Sequence, residues 1–424
     1  MKVLLAFILL CIPASYGLQP NSVRVEGQQT SYSFLHLNAN KVQHSSTSTF
    51  SEIYPLLDEA FAGKRTFNIL HMGGSHVQAG AIGFHFRRML SEIEWNIANE
   101  RGYLFPYRTA GTNSTQNTRS EVTGEWKSFR CANNKESAHW GMGGMSLQST
   151  TDSSTLKIWT WKPDSSAYRA HEVRLFYRLN EASFEPEWIG SALPVTFRTD
   201  SALGCKSWWF NEPVDTLQWR FVQKASNQTG IEIQGCQMLR NEPGITYNEI
   251  GVNGASTASY LRCVDFERQL PAITPDLMIF GIGINDAHVP PSDFSKNAYI
   301  ARYDSLISAI RRVNPKCQVL FLTNNDSYYK KRHPNKNAFA VREAMFELAN
   351  KWQGAVWDLF EIMGGLNAIQ EWEQAGLARK DYIHLTRAGY YLQSELLFQA
   401  LMKDYGSYLR QQKAGMRKTT NSAD

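Results

Sequence analysis

The spacing of hydrophobic residues changes twice along this chain, and these two changes constrain the fold more than any other feature of the sequence. Near both ends, short apolar runs typical of buried strands alternate with segments whose apolar residues recur at helical spacing. The predicted strands are residues 67–72, 245–250, 277–281, 318–323 and 355–359, and the predicted helices are 84–98, 299–313, 338–353 and 388–405. Strands that alternate with helices predict an α/β fold: a parallel sheet with helices on both faces.

The middle of the chain has a different pattern. Between about residues 111 and 240, short segments of alternating polarity are separated by turn residues: 155–161, 173–179, 193–198, 217–222 and 231–238. This pattern is typical of an all-β sandwich. We therefore expect an α/β domain of residues 18–110 and 243–410, interrupted by an inserted all-β sandwich domain at 111–242. The polar, basic residues 411–424 are predicted to be a disordered tail.

The N-terminus predicts export. Lys2 precedes an apolar run at residues 3–14, which is too short to span a bilayer. Ser15 and Gly17 are small residues at the positions that a cut after Gly17 requires, so residues 1–17 are interpreted as a signal peptide. The mature protein would be periplasmic or extracellular, and no later segment is apolar enough for an integral membrane span.

Composition narrows the choice of partners. The net charge is only +5 and no dense Lys/Arg run interleaves with aromatic residues, which argues against nucleic acid as a partner. Twelve tryptophans are present, and they suit either core packing or sugar stacking at Trp159, Trp161, Trp208 and Trp209.

Five cysteines would remain after signal cleavage, and their spacing matches no zinc site. An exported protein can form disulfides. The sequence therefore allows either a disulfide between Cys205 and Cys236 or buried free thiols.

Two motifs combine into a candidate for nucleophilic catalysis. Ser75 follows the first strand in Gly73-Gly74-Ser75-His76, and ligands of such sheets bind beyond the carboxyl ends of the strands. Asp381 and His384 lie three residues apart before the last helix. An Asp can fix the tautomer of such a His, whose other nitrogen then takes the serine proton. Each motif alone also fits an ordinary turn or helix cap.

Further candidates follow other strands. Gly254 and Asn285 could donate, with the backbone N–H of Ser75, to the oxyanion of an acyl-transfer intermediate, although Gly and Asn are also common in turns. His76, Gln78 and His288 are candidates for substrate binding; packing and capping at a helix start explain the first two equally well.

The order of these motifs resembles the SGNH (GDSL-type) hydrolase superfamily, whose four blocks match residues 73–76, 251–255, 283–286 and 381–384. The resemblance implies a three-layer, flavodoxin-like fold with no metal or organic cofactor. It also implies a catalytic triad of Ser75, Asp381 and His384, and an oxyanion hole of Ser75, Gly254 and Asn285. Gly74 departs from the family, which usually has Asp before the serine.

A narrower resemblance covers residues 73–78, residues 250–255 and the β-rich insert between them. These features are similar to peptidoglycan O-acetylesterases of Gram-negative bacteria, in which the insert resembles a carbohydrate-binding module. The resemblance implies an acetylated glycan, most of all peptidoglycan, as substrate. An esterase or lipase acting on other acylated polysaccharides or lipids, acyl transfer onto a polymer, and a non-catalytic cell-wall-binding protein remain alternatives.

Overall fold

The computed structural model describes residues 23–25, 28–93 and 98–421, so the predicted signal peptide lies outside the described residues. A seven-stranded sheet organises both ends of the chain. Six of its strands are parallel, and the seventh, at one edge, is antiparallel to its neighbour. In spatial order the strands are Val42–His44, Ala355–Trp357, Gln318–Leu322, Leu277–Gly281, Thr66–Gly73, Gly244–Gly251 and Ala98–Glu100.

Both faces of this sheet are buried. Side chains alternate along a strand, and neighbours such as Ile69 and Leu70 accordingly belong to two different hydrophobic clusters. The helices that pack on the two faces, with the shorter helices around them, are Ile53–Phe61, Ser75–Gln78, Ala81–Ile93, Thr257–Tyr260, Phe266–Gln269, Ile284–Ala287, Lys296–Val313, Asn337–Lys351, Leu359–Ile362, Ala368–Gln374 and Arg387–Asn421. Short 3-10 turns occupy Leu37–Ala39, Phe50–Glu52, Leu270–Ala272 and Pro291–Asp293. The predicted α/β layering is confirmed, with a mixed rather than purely parallel sheet.

Two helix ends differ from their predictions. The helix expected at 84–98 is Ala81–Ile93, and Ala98 already belongs to an edge strand. The last helix continues to Asn421, where the sequence predicts a disordered tail from residue 411. Its Lys, Arg, Gln and Ala residues are good helix formers, and they extend a helix that is anchored by buried Leu409.

The middle of the chain forms two antiparallel sheets. One has four strands, in the order Glu185–Trp188, Thr216–Val222, Ser154–Thr160 and Thr118–Thr123. The other has the order Thr196–Asp200, Cys205–Val214, Ala170–Tyr177, Ile231–Leu239, Met145–Ser149 and Lys127–Arg130, with Gly102–Leu104 also paired to Ile231–Leu239. Two small hairpins complete the strands: Val23–Val25 with Gln28–Thr30, and Tyr328–Tyr329 with His333–Pro334.

The antiparallel region shares its core with the α/β part. One hydrophobic cluster runs from Met72 and Phe280 of the mixed sheet to Trp208 and Trp219 of the antiparallel sheets. The Tyr103 hydroxyl donates to the Gln234 carbonyl at 2.6 Å within this shared core. The antiparallel strands are therefore packed against the α/β part rather than tethered to it.

The five described cysteines are buried free thiols, so the Cys205–Cys236 bridge does not form. The sheet register explains why. Cys205 pairs with Phe176 and Cys236 pairs with Leu175, so the strand Ala170–Tyr177 lies between them. Two strand spacings of about 4.8 Å exceed the Cα separation that a disulfide allows.

Within the described part of the chain, no helix has the length and apolar character needed to cross a bilayer.

Candidate active site

Ser75 is placed at the carboxyl edge of the mixed sheet by the strand that precedes it. Thr66–Gly73 ends there, Gly74 follows in an irregular conformation, and Ser75 begins a short helix. A Cβ on Gly73 would lie 2.9 Å from the Gly281 carbonyl oxygen, so only glycine lets the neighbouring strand approach this closely. The tight turn leaves the Ser75 hydroxyl in the crevice.

Ser75, His384 and Asp381 form a hydrogen-bonded chain. The Ser75 Oγ lies 2.8 Å from His384 Nε2, and His384 Nδ1 lies 2.9 Å from Asp381 Oδ2. With the Nδ1 proton held by the carboxylate, Nε2 is the acceptor for the serine proton. Ser75 lies more than 300 positions before Asp381 and His384 in sequence, and the fold arranges the three for transfer of a proton from Ser75 to His384.

The loop that carries Asp381 and His384 is rigidly closed. The Arg379 N–H donates to the His384 carbonyl at 2.8 Å, beside an isolated bridge between Ala378 and Leu385. Tyr382 adopts a left-handed conformation with φ of 54°, which is uncommon outside glycine. This turn lets the Asp381 carboxylate reach back to the His384 ring.

Asp381 is kept ionised by its hydrogen bonds. Burial alone would raise the pKa of this carboxyl. Its Oδ1 also accepts the N–H groups of Ile383 and His384, each at 2.9 Å. Together with the His384 ring, these donors hold the pKa of Asp381 below its usual value.

Gly254 and Asn285 lie on the next two strand ends. Gly254 has φ of +81°, a left-handed conformation that favours glycine. The Asn285 Nδ2 donates to the Ala255 carbonyl at 2.8 Å, which ties the two loops together. Its second amide hydrogen remains for another acceptor.

Gln78 is buried and supports the Gly254 loop. Its Oε1 accepts the Asn253 N–H at 2.7 Å, and its Nε2 donates to Thr112 Oγ1 at 3.1 Å and the Asn113 carbonyl at 2.9 Å. All these groups lie beside the crevice, but Gln78 itself does not line it. The structure thus places Gln78 in contact with two loops, where the sequence allows either substrate contact or packing at a helix start.

His76 lies behind His384. The two rings are stacked with centroids 5.2 Å apart, and Tyr390 meets His76 edge-on at 5.5 Å. Burial, with the neighbouring His384 ring, lowers the pKa of His76 to about 3. A neutral imidazole therefore backs His384, and it lies against that residue rather than on the crevice wall.

His288 does line the crevice. Its ring packs on Tyr329 with centroids 5.0 Å apart. Burial lowers the pKa of His288, and the nearby charge of Lys330 lowers it further.

The crevice has a volume of about 590 Å³, enough for a small ligand. Five of its lining residues are predicted from the sequence: Ser75, Gly254, Asn285, His288 and His384. The loop at 113–116 and the two arginines are not. The walls comprise Ser75, Ala79, Ala81, Asn113, Ser114, Gln116, Asn253, Gly254, Ile284, Asn285, His288, Arg379, Ile383, His384, Arg387 and Tyr390. Among the described residues, no cluster of three His, Cys, Asp or Glu side chains is placed to hold a metal ion.

Part of the chain is similar to a known protein family. Residues 235–392 match the family model of GDSL-like lipases and acylhydrolases. No curated protein matches the chain.

The fold of the chain is also similar to that of a solved structure. One solved structure, described as a peptidoglycan O-acetylesterase in action, superposes with a TM-score of 0.70 at 19% identity, over 86% of this chain and 99% of the other. An acetyl xylan esterase superposes with a TM-score of 0.28 at 19% identity, over 37% and 79% of the two chains. A GDSL-like lipase from Bacteroides thetaiotaomicron gives 0.30 at 16% identity, over 38% and 76%. Residues 235–392 are thus similar to GDSL-like lipases and acylhydrolases, and the fold of the chain resembles that of a peptidoglycan O-acetylesterase.

Proposed function

We propose that this protein is an exported serine esterase that removes O-acetyl groups from a carbohydrate polymer, with peptidoglycan as the substrate. The observation that carries the proposal is the hydrogen-bonded chain from Ser75 through His384 to Asp381. The likeness in fold to a peptidoglycan O-acetylesterase supports the choice of polymer.

In the first step, Ser75 Oγ attacks the ester carbonyl while His384 Nε2 accepts its proton. Asp381 holds the imidazole in the required tautomer and stabilises the imidazolium that forms. The tetrahedral oxyanion accepts hydrogen bonds from the backbone N–H groups of Ser75 and Gly254 and from Asn285 Nδ2. His384 then protonates the departing sugar hydroxyl, which leaves an acetyl group on Ser75.

In the second step, His384 takes a proton from water, and the hydroxide attacks the acetyl-serine carbonyl. Collapse of the second oxyanion breaks the bond to Ser75 Oγ, which recovers its proton from His384 and releases acetate. His76 and Gln78 act indirectly in this scheme: His76 supports the His384 ring, and Gln78 positions the Gly254 loop.

The proposal also assigns the parts of the chain. Residues 1–17 direct export, residues 18–110 and 243–410 form the hydrolase domain, and residues 111–242 are an inserted, carbohydrate-binding-like β-sandwich. The pairing of Gly102–Leu104 with Ile231–Leu239 fixes this insert against the hydrolase domain. A polymer held by the insert would therefore keep a defined position relative to Ser75.

The test is acetate release from O-acetylated peptidoglycan by the wild type and by Ser75→Ala. We expect the substitution to lower turnover by roughly 10⁶-fold, because without the nucleophile no acyl-enzyme forms. Ser305→Ala, an exposed residue of the helix Lys296–Val313, is the matched control and should retain full activity. Near-wild-type turnover by Ser75→Ala would refute the proposed nucleophile, and release from acetylated xylan alone would refute peptidoglycan as the substrate.

A further inference from the structure

The crevice around Ser75 has an unbalanced charge. Two arginines, Arg379 and Arg387, stand among its lining residues, and no aspartate or glutamate does. The other polar walls are neutral amides, hydroxyls and histidines. Arg387 makes an interaction within the protein. Arg379 is therefore the arginine suited to receive an anionic group that enters the crevice.

Arg379 is held at a fixed place relative to His384. Its N–H donates to the His384 carbonyl, and its own carbonyl accepts the Tyr382 N–H at 3.0 Å. The side chain is exposed and, among the described residues, has no carboxylate within 4 Å. The backbone of Arg379 is therefore fixed beside His384, and its side chain starts close to the ester carbonyl that meets Ser75 and His384.

A second cluster of positive charge borders the same crevice. The turn between Tyr328–Tyr329 and His333–Pro334 consists of Lys330, Lys331 and Arg332, all exposed. Tyr329 of this basic hairpin packs on His288, which lines the crevice. The hairpin thus continues the positive surface from the crevice to its rim.

We propose that the ester substrate carries carboxylates, and that Arg379 binds one of them close to the acetyl group while the basic hairpin binds others along the polymer. This inference rests on the proposed function and narrows it to acidic glycans. A guanidinium binds a carboxylate through two parallel hydrogen bonds, which fixes orientation as well as adding affinity. A neutral glycan such as xylan has no carboxylate, so it gains neither the fixed orientation nor the added affinity.

The carboxylate has two possible sources: an acidic substituent, such as the stem peptide of peptidoglycan, or the sugar ring itself, as in a uronate. The experiment measures kcat/KM for O-acetylated muropeptides, acetylated oligogalacturonates and acetylated xylo-oligosaccharides. The variants are Arg379→Gln and Lys330→Gln, with Arg410→Gln, an exposed arginine near the far end of the last helix, as the matched control. The two acidic substrates distinguish the sources.

We expect Arg379→Gln to lower the ratio of kcat/KM between acidic and neutral esters about tenfold or more, because a charge-assisted hydrogen bond is lost. The change should be mainly in KM and should shrink at high salt, where exposed charges are screened. Lys330→Gln should act in the same direction by a smaller factor, and Arg410→Gln should leave the ratio unchanged. An unchanged ratio in Arg379→Gln, or equal losses on all three esters, would overturn the proposal.

Failure of the proposed function can be recognised separately. If wild type hydrolyses none of the esters, co-sedimentation of Ser75→Ala with insoluble peptidoglycan, with and without Arg379→Gln, still tests the inference. Binding that weakens with Arg379→Gln supports recognition of carboxylates without hydrolysis, and binding that is unaffected by it refutes that recognition.

Discussion

Two cavities of this protein differ in how their charges are arranged. The crevice at Ser75 has a volume of about 590 Å³, with two arginines and no carboxylate in its walls. A cavity of about 370 Å³ in the antiparallel region is lined by two lysines and two glutamates beside Trp188, Trp208 and Phe197. In the second cavity the charges are paired: Lys224 contacts Glu187 at 2.5 Å, and Lys206 lies 3.5 Å from Glu185.

The difference follows from the elements that build each cavity. The crevice is assembled from loops at the carboxyl ends of parallel strands, where side chains project beyond the sheet. The second cavity lies where the two antiparallel sheets meet. Lys206 of one sheet pairs with Glu185 of the other, and Lys224, just after the strand Thr216–Val222, pairs with Glu187 on the adjacent strand. The lysines and glutamates of the second cavity are therefore paired with each other, whereas Arg379 of the crevice has no carboxylate partner among the described residues.

Among the variants that test the crevice, other than Ser75→Ala, Asp381→Asn should have the largest effect on ester hydrolysis. We expect kcat to fall by about 10⁴-fold, because the amide no longer selects the required His384 tautomer. The measurement is steady-state hydrolysis of a small acetyl ester. Asp404→Asn is the matched control, since Asp404 accepts from His44 at 2.7 Å outside the crevice. Equal losses in both variants would show that the effect is structural.

Asn285→Ala tests whether the crevice stabilises an oxyanion. Loss of one such donor should lower kcat by about 10²- to 10³-fold. Asn314→Ala removes a similar bond, from Asn314 Nδ2 to the Pro275 carbonyl at 2.9 Å, far from Ser75. Activity that falls no further in Asn285→Ala than in Asn314→Ala would contradict the donor role of Asn285.

Trp188→Ala tests whether the second cavity, like the crevice, binds an external ligand. Trp188 packs edge-on against buried Trp219 at 5.8 Å and donates to the Ala192 carbonyl at 2.7 Å. We expect a loss of about 1–3 kcal/mol in the free energy of unfolding, from lost packing of a partly buried side chain, with unchanged hydrolysis of a small ester. Denaturant unfolding and ester kinetics measure the two quantities. Trp126→Ala, which removes another partly buried tryptophan of the same region outside this cavity, is the control. A selective loss of polymer binding in Trp188→Ala would make the second cavity a glycan site.

Substitution of Asp326 should have the smallest effect of these variants, and its effect on the free energy of unfolding should depend on pH. Burial raises the pKa of this carboxyl to about 6, despite bonds from Ile369, Ser327 and Asn367. The folded state therefore holds this proton more tightly than the unfolded state, and stability from this group falls as pH rises from about 4 to 6. Asp326→Asn should raise the free energy of unfolding at pH 7.5 by about 1–3 kcal/mol. Chemical denaturation at pH 7.5 and pH 5 should show a smaller gain at pH 5; a gain independent of pH would exclude the charge as its cause.

Much of the fold was predictable because hydrophobic periodicity reports burial directly. Strands such as Leu277–Gly281 and Thr216–Val222 lie within a residue or two of their predicted limits. The antiparallel edge strand Val42–His44 escaped prediction because three residues carry too little periodicity. The Cys205–Cys236 bridge could not be judged from sequence, since strand order, not spacing, sets their separation.

The sequence by itself determined which residues could supply a nucleophile, a base and an oxyanion donor, because these residue types recur at the ends of recognisable strands. Only the tertiary structure decided where each side chain is placed. It brought His384 to Ser75, stacked His76 behind that ring, and buried Gln78 between two loops. It also placed Arg379 in the crevice wall. Directions and distances of this kind depend on loops closed by long-range contacts, and local sequence patterns do not carry that information.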